Sequence, residues 1–180
     1  MGGASGLMGS AARLWSRLTR RTEDSAASAH VVRTSSSPGA TGLSQTVQIT
    51  PPRADGLLLS YRPDWDGDPD AGEVVWTWVP YAEYDGRGKD RPVLVIGRED
   101  QDRVYAVRMT STAHPGDPDY VSLGSGEWDS RGRASWVDVS RIYSVHRDGM
   151  RREAAALDLD RFVAVANTLR KRYGWDAARA

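Results

Sequence analysis

Cysteine is absent from this chain of 180 residues, and histidine occurs three times, as His30, His114 and His146. Without thiols there are no disulfide scaffolds, cysteine-type zinc sites, iron–sulfur clusters or thiol nucleophiles. Three scattered histidines make a poor all-histidine metal site, so neither a metal nor a cofactor is expected. Lysine is scarce too: of 24 basic residues only Lys89 and Lys171 are lysine, and the rest are arginine. The 24 acidic residues bring the net charge to zero, which excludes bulk cationic adhesion to nucleic acid or membrane but leaves local basic patches open. No apolar run approaches the roughly 20 residues of a bilayer-spanning helix, and no apolar core follows a charged start as in a secretory signal. The expected location is the cytoplasm.

What is present changes character near residue 71. Residues 22–56 are rich in Ser, Thr, Ala, Gly and Pro and hold too little apolar surface to offset the entropy of ordering, and the whole stretch 22–71 reads as a disordered linker. Within it, residues 57–61 (LeuLeuLeuSerTyr) form an apolar patch that reads as a stray edge strand. The acidic run 64–70 resembles a calcium loop only superficially; it has no closing Glu and no flanking helical pattern, and reads as a solvated turn. Residues 1–21 form a third region. Leu7, Ala11, Leu14, Trp15 and Leu18 share one arc at helical period, with Arg13, Arg17, Arg20 and Arg21 opposite, which predicts a short basic amphipathic helix. Three readings stand: a helix that docks on a membrane or partner, an organellar presequence, or a weakly helical tail.

From residue 72 to 176 the pattern is that of a folded, mainly β domain. Strands are predicted at 73–79, 92–98, 103–109, 120–123, 135–139 and 142–146, with a polar hairpin turn at 99–102. Short separations and Gly-, Pro- and Asp-containing turns point to a small antiparallel barrel. Leu157, Leu159, Phe162, Val163, Val165, Ala166 and Leu169 recur at helical spacing, predicting one C-terminal helix over 158–173. An acidic start and the ArgLysArg run at 170–172 suit its dipole.

Four segments in this order resemble the MazF/PemK family of toxins: GlyGluValValTrp (72–76), GlyArgGlyLysAspArgPro (86–92), ValLeuValIle (93–96) and MetThrSer (109–111). The stretch 135–145 and the terminal helix are similar to the family as well, so the resemblance spans roughly 72–175. It implies an SH3-like antiparallel barrel with a C-terminal helix, usually dimeric. It also implies a metal-independent endoribonuclease acting on single-stranded RNA within a type II toxin–antitoxin pair, with a cognate antitoxin as protein partner. Carried across residue by residue, Arg91 and Thr110 take the catalytic positions. Two departures stand out: the loop 81–90 differs from the family's usual loop before the arginine, and Met109 stands where Ile or Leu is usual. The altered loop leaves the RNA sequence preference open.

RNA carries its own nucleophile, the 2′-hydroxyl. An enzyme of this kind must take the 2′ proton, stabilise charge on the phosphate oxygens and let the 5′ oxygen leave protonated. Arg91 offers a planar fork of donors with permanent charge, suited to two phosphate oxygens. Thr110 adds a hydroxyl donor and Ser111 a second. The general base is expected among Glu83, Asp85, Asp90 and His114. Lys89, Arg87, Arg141 and Arg147 are the expected RNA-backbone contacts, and Trp76 a base-stacking platform. Each residue also has a plainer reading. ArgPro is a common turn-to-strand junction, ThrSer at a strand end satisfies backbone groups, His114 suits an ordinary loop, and Trp76 and Trp78 suit a core or dimer face. Two other functions compete with ribonuclease: a non-catalytic barrel that binds nucleic acid or protein, and a gyrase-poisoning toxin, against which Arg91 and Thr110 both argue.

Overall fold

Both faces of the central strands are apolar, and the fold follows from that. In the computed structural model, which describes residues 37–64, 67–81 and 86–177, ten strands and one helix succeed one another. They are β1 (Val47–Ile49), β2 (Leu58–Leu59), β3 (Glu73–Pro80), β4 (Gly88–Arg98), β5 (Arg103–Thr110), β6 (Tyr120–Gly124), β7 (Ser135–Asp138), β8 (Ile142–His146), β9 (Met150–Ala156), α1 (Leu159–Tyr173) and β10 (Asp176–Ala177). β1, β8, β5, β4, β3 and β9 pair in that order in a curled antiparallel half-barrel. β7 pairs with β5 and carries β6 beyond it.

β5 explains why its alternation is imperfect. Val104 and Ala106 belong to one buried cluster with Val75, Val93, Val95 and Tyr143, while Val107 and Met109 belong to another with Leu94, Ile96, Val137 and the helix. A strand buried on both sides reads as a near-continuous apolar run. α1 contributes Phe162, Val165, Ala166 and Leu169, the i, i+3, i+4, i+7 stripe expected of a helix packed on one side. Asp158 caps its start by accepting from the Arg161 N–H at 3.0 Å. Gly174 ends it at φ +77°, a left-handed conformation that a side chain would strain.

The segment before the barrel differs from the linker expected over 22–71. Its described part, from residue 37 on, packs onto the barrel. β1 pairs with the edge strand β8, and β2 pairs in parallel with β10. Leu57 and Leu59 enter the helix-side core, the Tyr61 hydroxyl donates to Leu157 O at 2.8 Å, and Trp175 Nε1 donates to Pro52 O at 3.0 Å. Farther back, Thr77 Oγ1 donates to Gly149 O at 2.7 Å and meets Thr46 Oγ1 at 2.7 Å. Gly39 lies so close to both hydroxyls that a Cβ there would sit 2.5 Å from Thr77 Oγ1. A largely polar composition is tolerated because a few buried leucines and these hydrogen-bonded tethers together hold the segment. The expected amphipathic helix (1–21) and the first part of the linker lie outside the described residues.

Two other differences matter for the site. β4 begins at Gly88, four residues before the expected strand, because β3 keeps pairing with it as far as Pro80↔Gly88. β9, MetArgArgGluAlaAlaAla, has helix-favouring composition yet forms the edge strand on β3, where pairing overrides propensity. Arg98 lies 3.8 and 3.7 Å from Asp68 and Asp70, and Arg147 pairs with Asp68 at 2.7 Å, so the described part of the acidic run 64–70 is occupied by arginines. Among the described residues no helix is long and apolar enough to cross a membrane.

Candidate active site

The sheet splits at one point, and the split forms a cleft. β4 and β5 pair from Arg98↔Val104 to Val93↔Arg108 and stop there. Beyond that point β4 stays with β3 through Pro92, Arg91, Asp90 and Lys89. β5 turns instead to β7 through Met109↔Val137 and Thr110↔Trp136. Pro92 stands at the divergence and has no N–H to give a ladder. Continuing the Val93↔Arg108 register by two residues brings Arg91 opposite Thr110, across the gap. The gap is a cleft of about 340 Å³ whose walls include Trp76, Lys89, Asp90, Arg91, Thr110 and Ser111. Six of the residues singled out from the sequence therefore meet in one place, although five come from three strands and Ser111 from the bend after β5.

Arg91 is half-buried, and its side chain makes no hydrogen bond or ion pair among the described residues, so its guanidinium is available to a ligand. Thr110 Oγ1 accepts the Thr112 N–H at 3.1 Å. That bond occupies a lone pair of the hydroxyl and leaves its proton to donate into the cleft. Asp90 pairs through Oδ2 with Arg151, which reaches over from β9. Its Oδ1 is buried and has no partner, and neither has Trp76 Nε1 in the same wall. Unsatisfied buried polar atoms are few in native proteins and call for an explanation at a site.

The other sequence candidates fall elsewhere. Glu83 and Asp85 lie outside the described residues. His114 does not line the cleft; its ring stacks on Tyr120 with centroids 3.5 Å apart and stands edge-on to Trp136 at 6.4 Å. Arg87 sits in the turn before β4, and its carbonyl accepts the Tyr81 N–H. Arg141 follows β7 and Arg147 follows β8, bound to Asp68. None of these three arginines lines the cleft.

The loop before β7 and its first residue add Trp128, Asp129, Arg133 and Ser135 to the cleft; from the sequence Trp128 was open between a base-stacking platform and a core residue, and the other three were not singled out. Trp128 is 4% exposed, and its Nε1 donates to Ser135 Oγ at 3.0 Å, so it plugs the loop into the core. Asp129 accepts the Arg131 N–H at 2.9 Å and the Arg133 Nε–H at 2.7 Å. Arg133, and secondarily the Arg131 N–H, hold the Asp129 carboxyl below its ordinary pKa of 3.8. It is thus a carboxylate at neutral pH, not an acid. The signal that was there, Asp and Arg four apart, is usually read as helical pairing, whereas here it lies in a loop.

The model of PemK-like, MazF-like toxins of type II toxin–antitoxin systems matches residues 70–172, more than half of the chain. Among solved structures, MazF from Deinococcus radiodurans is 26% identical, with 59% of this chain and 96% of that one covered and a TM-score of 0.46. A MazE–MazF structure from the same organism is 23% identical, covering 60% and 98%, with a TM-score of 0.45. An endoribonuclease in complex with its cognate antitoxin, from a mycobacterial species, is 19% identical, covering 59% and 96%, also at 0.45. No curated protein matches. With the matched residues taking in the whole run from β3 through most of α1, the chain belongs to the family of PemK-like, MazF-like toxins of type II toxin–antitoxin systems.

Proposed function

We propose that this toxin is an endoribonuclease that cuts single-stranded RNA in the cleft between β4 and β5. The observation that carries the reading is the placing of an unpaired Arg91 opposite Thr110 where the sheet opens. Arg91 holds the non-bridging oxygens of the scissile phosphate, and its charge meets the negative charge that grows on them. Thr110 donates a hydrogen bond to the same phosphate, with Ser111 beside it, and the Lys89 ammonium adds positive charge at the rim. The 2′-oxygen loses its proton and attacks phosphorus, the bond to the 5′ oxygen breaks and that oxygen takes a proton from water, which leaves a 2′,3′-cyclic phosphate and a 5′-hydroxyl. Of the expected bases, Asp90 is the one that lines the cleft among the described residues, and its carboxylate is the acceptor for the 2′ proton. No protein metal ligand enters this scheme. A cognate antitoxin would restrain the activity by covering the cleft, and the toxin would act in the cytoplasm as a homodimer.

The test is cleavage of a long single-stranded RNA in EDTA by the wild type, Arg91→Ala and Thr110→Ala. The wild type is expected to cut. Arg91→Ala is expected to lose about 10²–10³ in rate, the usual cost of one preorganised donor. An inert wild type, or an Arg91→Ala protein that cuts equally well, would leave a non-catalytic binding barrel as the better reading.

A further inference from the structure

We infer that Arg133 is a second phosphate-binding residue of the cleft, which takes a backbone phosphate next to the scissile one. The inference rests on the ribonuclease reading and extends it to the length of RNA the cleft holds.

Topology places Arg133. β5 runs between β4 and β7, and Arg133 stands two residues before β7 begins at Ser135. Arg91 and Arg133 therefore flank Thr110 from opposite walls of one cleft. Paired strands lie ~4.8 Å apart, so walls built on β4 and β7 would be about 10 Å apart in an unbroken sheet, and the opening between β4 and β5 widens that gap. A nucleic-acid backbone entering such a gap presents one phosphate to each wall.

The side chain is prepared for that task. Arg133 Nε is committed to Asp129 Oδ2 at 2.7 Å, which fixes the plane of the guanidinium and leaves both terminal nitrogens as donors. Asp129 is fixed in turn by the Arg131 N–H, and the loop is anchored on both flanks. Trp128 is sunk in the core, and Arg161 donates to Ser125 O at 3.0 Å while lying over the Trp128 ring. The Arg133 side chain nevertheless stays 52% exposed. A long side chain held in one orientation yet open to solvent suits a ligand of opposite charge, because the ordering entropy is spent before binding.

Charge in the cleft agrees. Its two carboxylates, Asp90 and Asp129, are each matched by an arginine, Arg151 and Arg133. Arg91 and Lys89 have no such acidic partner among the described residues, so the cleft keeps net positive charge. With Asp129 ionised, Arg133 serves phosphate through the donors that Asp129 does not use. Asp129 is then a positioning residue.

Binding of an uncleavable, fully 2′-O-methylated single-stranded RNA of mixed sequence is measured over a salt series, for full-length wild type, Arg133→Gln, Arg133→Lys and Arg91→Gln. Arg133→Gln is expected to bind roughly tenfold more weakly. Its log–log salt slope is expected to be shallower by about 0.7, the share of one single-strand phosphate contact. Arg133→Lys keeps the slope but loses part of the affinity, since the charge remains and the fork is gone. Thermal unfolding of each variant separates lost contact from lost fold. Arg133→Gln with wild-type affinity and slope, while Arg91→Gln is weakened, overturns the inference and leaves the ribonuclease reading standing. No binding of the RNA by the wild type counts against both.

Discussion

Leu58 and Leu59 are adjacent, identical in chemistry and opposite in environment, which makes them a sharp test of whether the segment before the barrel belongs to the fold. Leu59 is 1% exposed and part of the helix-side core; Leu58, on the other face of β2, is 56% exposed. Leu→Ala at a buried site costs about 2–5 kcal/mol, depending on how far the cavity collapses. Leu59 borders an open groove of about 640 Å³ lined by Tyr61, Phe162 and Val163, so water and side chains can fill part of the void. That places Leu59→Ala in the lower half of the range, about 3 kcal/mol. For a chain of this length each kcal/mol lowers the melting temperature by roughly 2–4 °C, which gives about 6–12 °C. Leu58→Ala should change stability by less than about 0.5 kcal/mol. Thermal unfolding followed by circular dichroism, with urea titration as a check, measures both. Equal, negligible effects at the two positions would refute the packing and restore the linker reading.

Other consequences are equally direct. Thr77→Val keeps the shape but deprives Gly149 O and Thr46 Oγ1 of a buried partner; urea denaturation should show a loss of about 2 kcal/mol, and a loss under 0.5 would contradict the tether. Asp129 has a depressed pKa, so its pairing with Arg133 is fully present above 3.8 and is lost as pH falls through a lower folded value. Carboxyl-carbon NMR should find that midpoint below 3.8 and moving up in Arg133→Ala; a midpoint at or above 3.8 in the wild type would refute the pairing. His114→Ala should cleave RNA within a few-fold of the wild-type rate, since the ring stacks on Tyr120 outside the cleft, and a hundredfold loss would make it the base after all.

The parts of the molecule that follow a simple period were legible in the sequence. The helix showed its stripe and caps, and six strands showed their apolar runs. Arg91 and Thr110 were picked out through the resemblance, as the arginine before a proline and the threonine of a ThrSer pair, and the structure puts them on opposite sides of one cleft. β9 was hidden by a composition that favours helix, and only pairing with β3 makes it a strand. β1 was hidden because a three-residue strand carries almost no pattern; β2 showed as the apolar patch at 57–61, but its partner β10, 118 residues away, did not. Asp129 and Arg133 were hidden for a related reason: their value lies in facing Thr110 across β7 and β5, a relation of topology rather than of spacing. His114 shows the converse. Its closeness to Thr110 in sequence suggested a base, yet the chain turns after Ser111 and carries the imidazole onto Tyr120.

The central claim is that the cleft lets RNA's own 2′-hydroxyl cut the chain. The most direct measurement is mass spectrometry of the product ends after reaction in EDTA, on matched substrates with a ribose or a single 2′-deoxyribose at the scissile position. The account predicts 2′,3′-cyclic phosphate and 5′-hydroxyl ends from the ribose substrate and no cleavage at the deoxy position. Cleavage of the deoxy substrate, or 5′-phosphate ends, would contradict it.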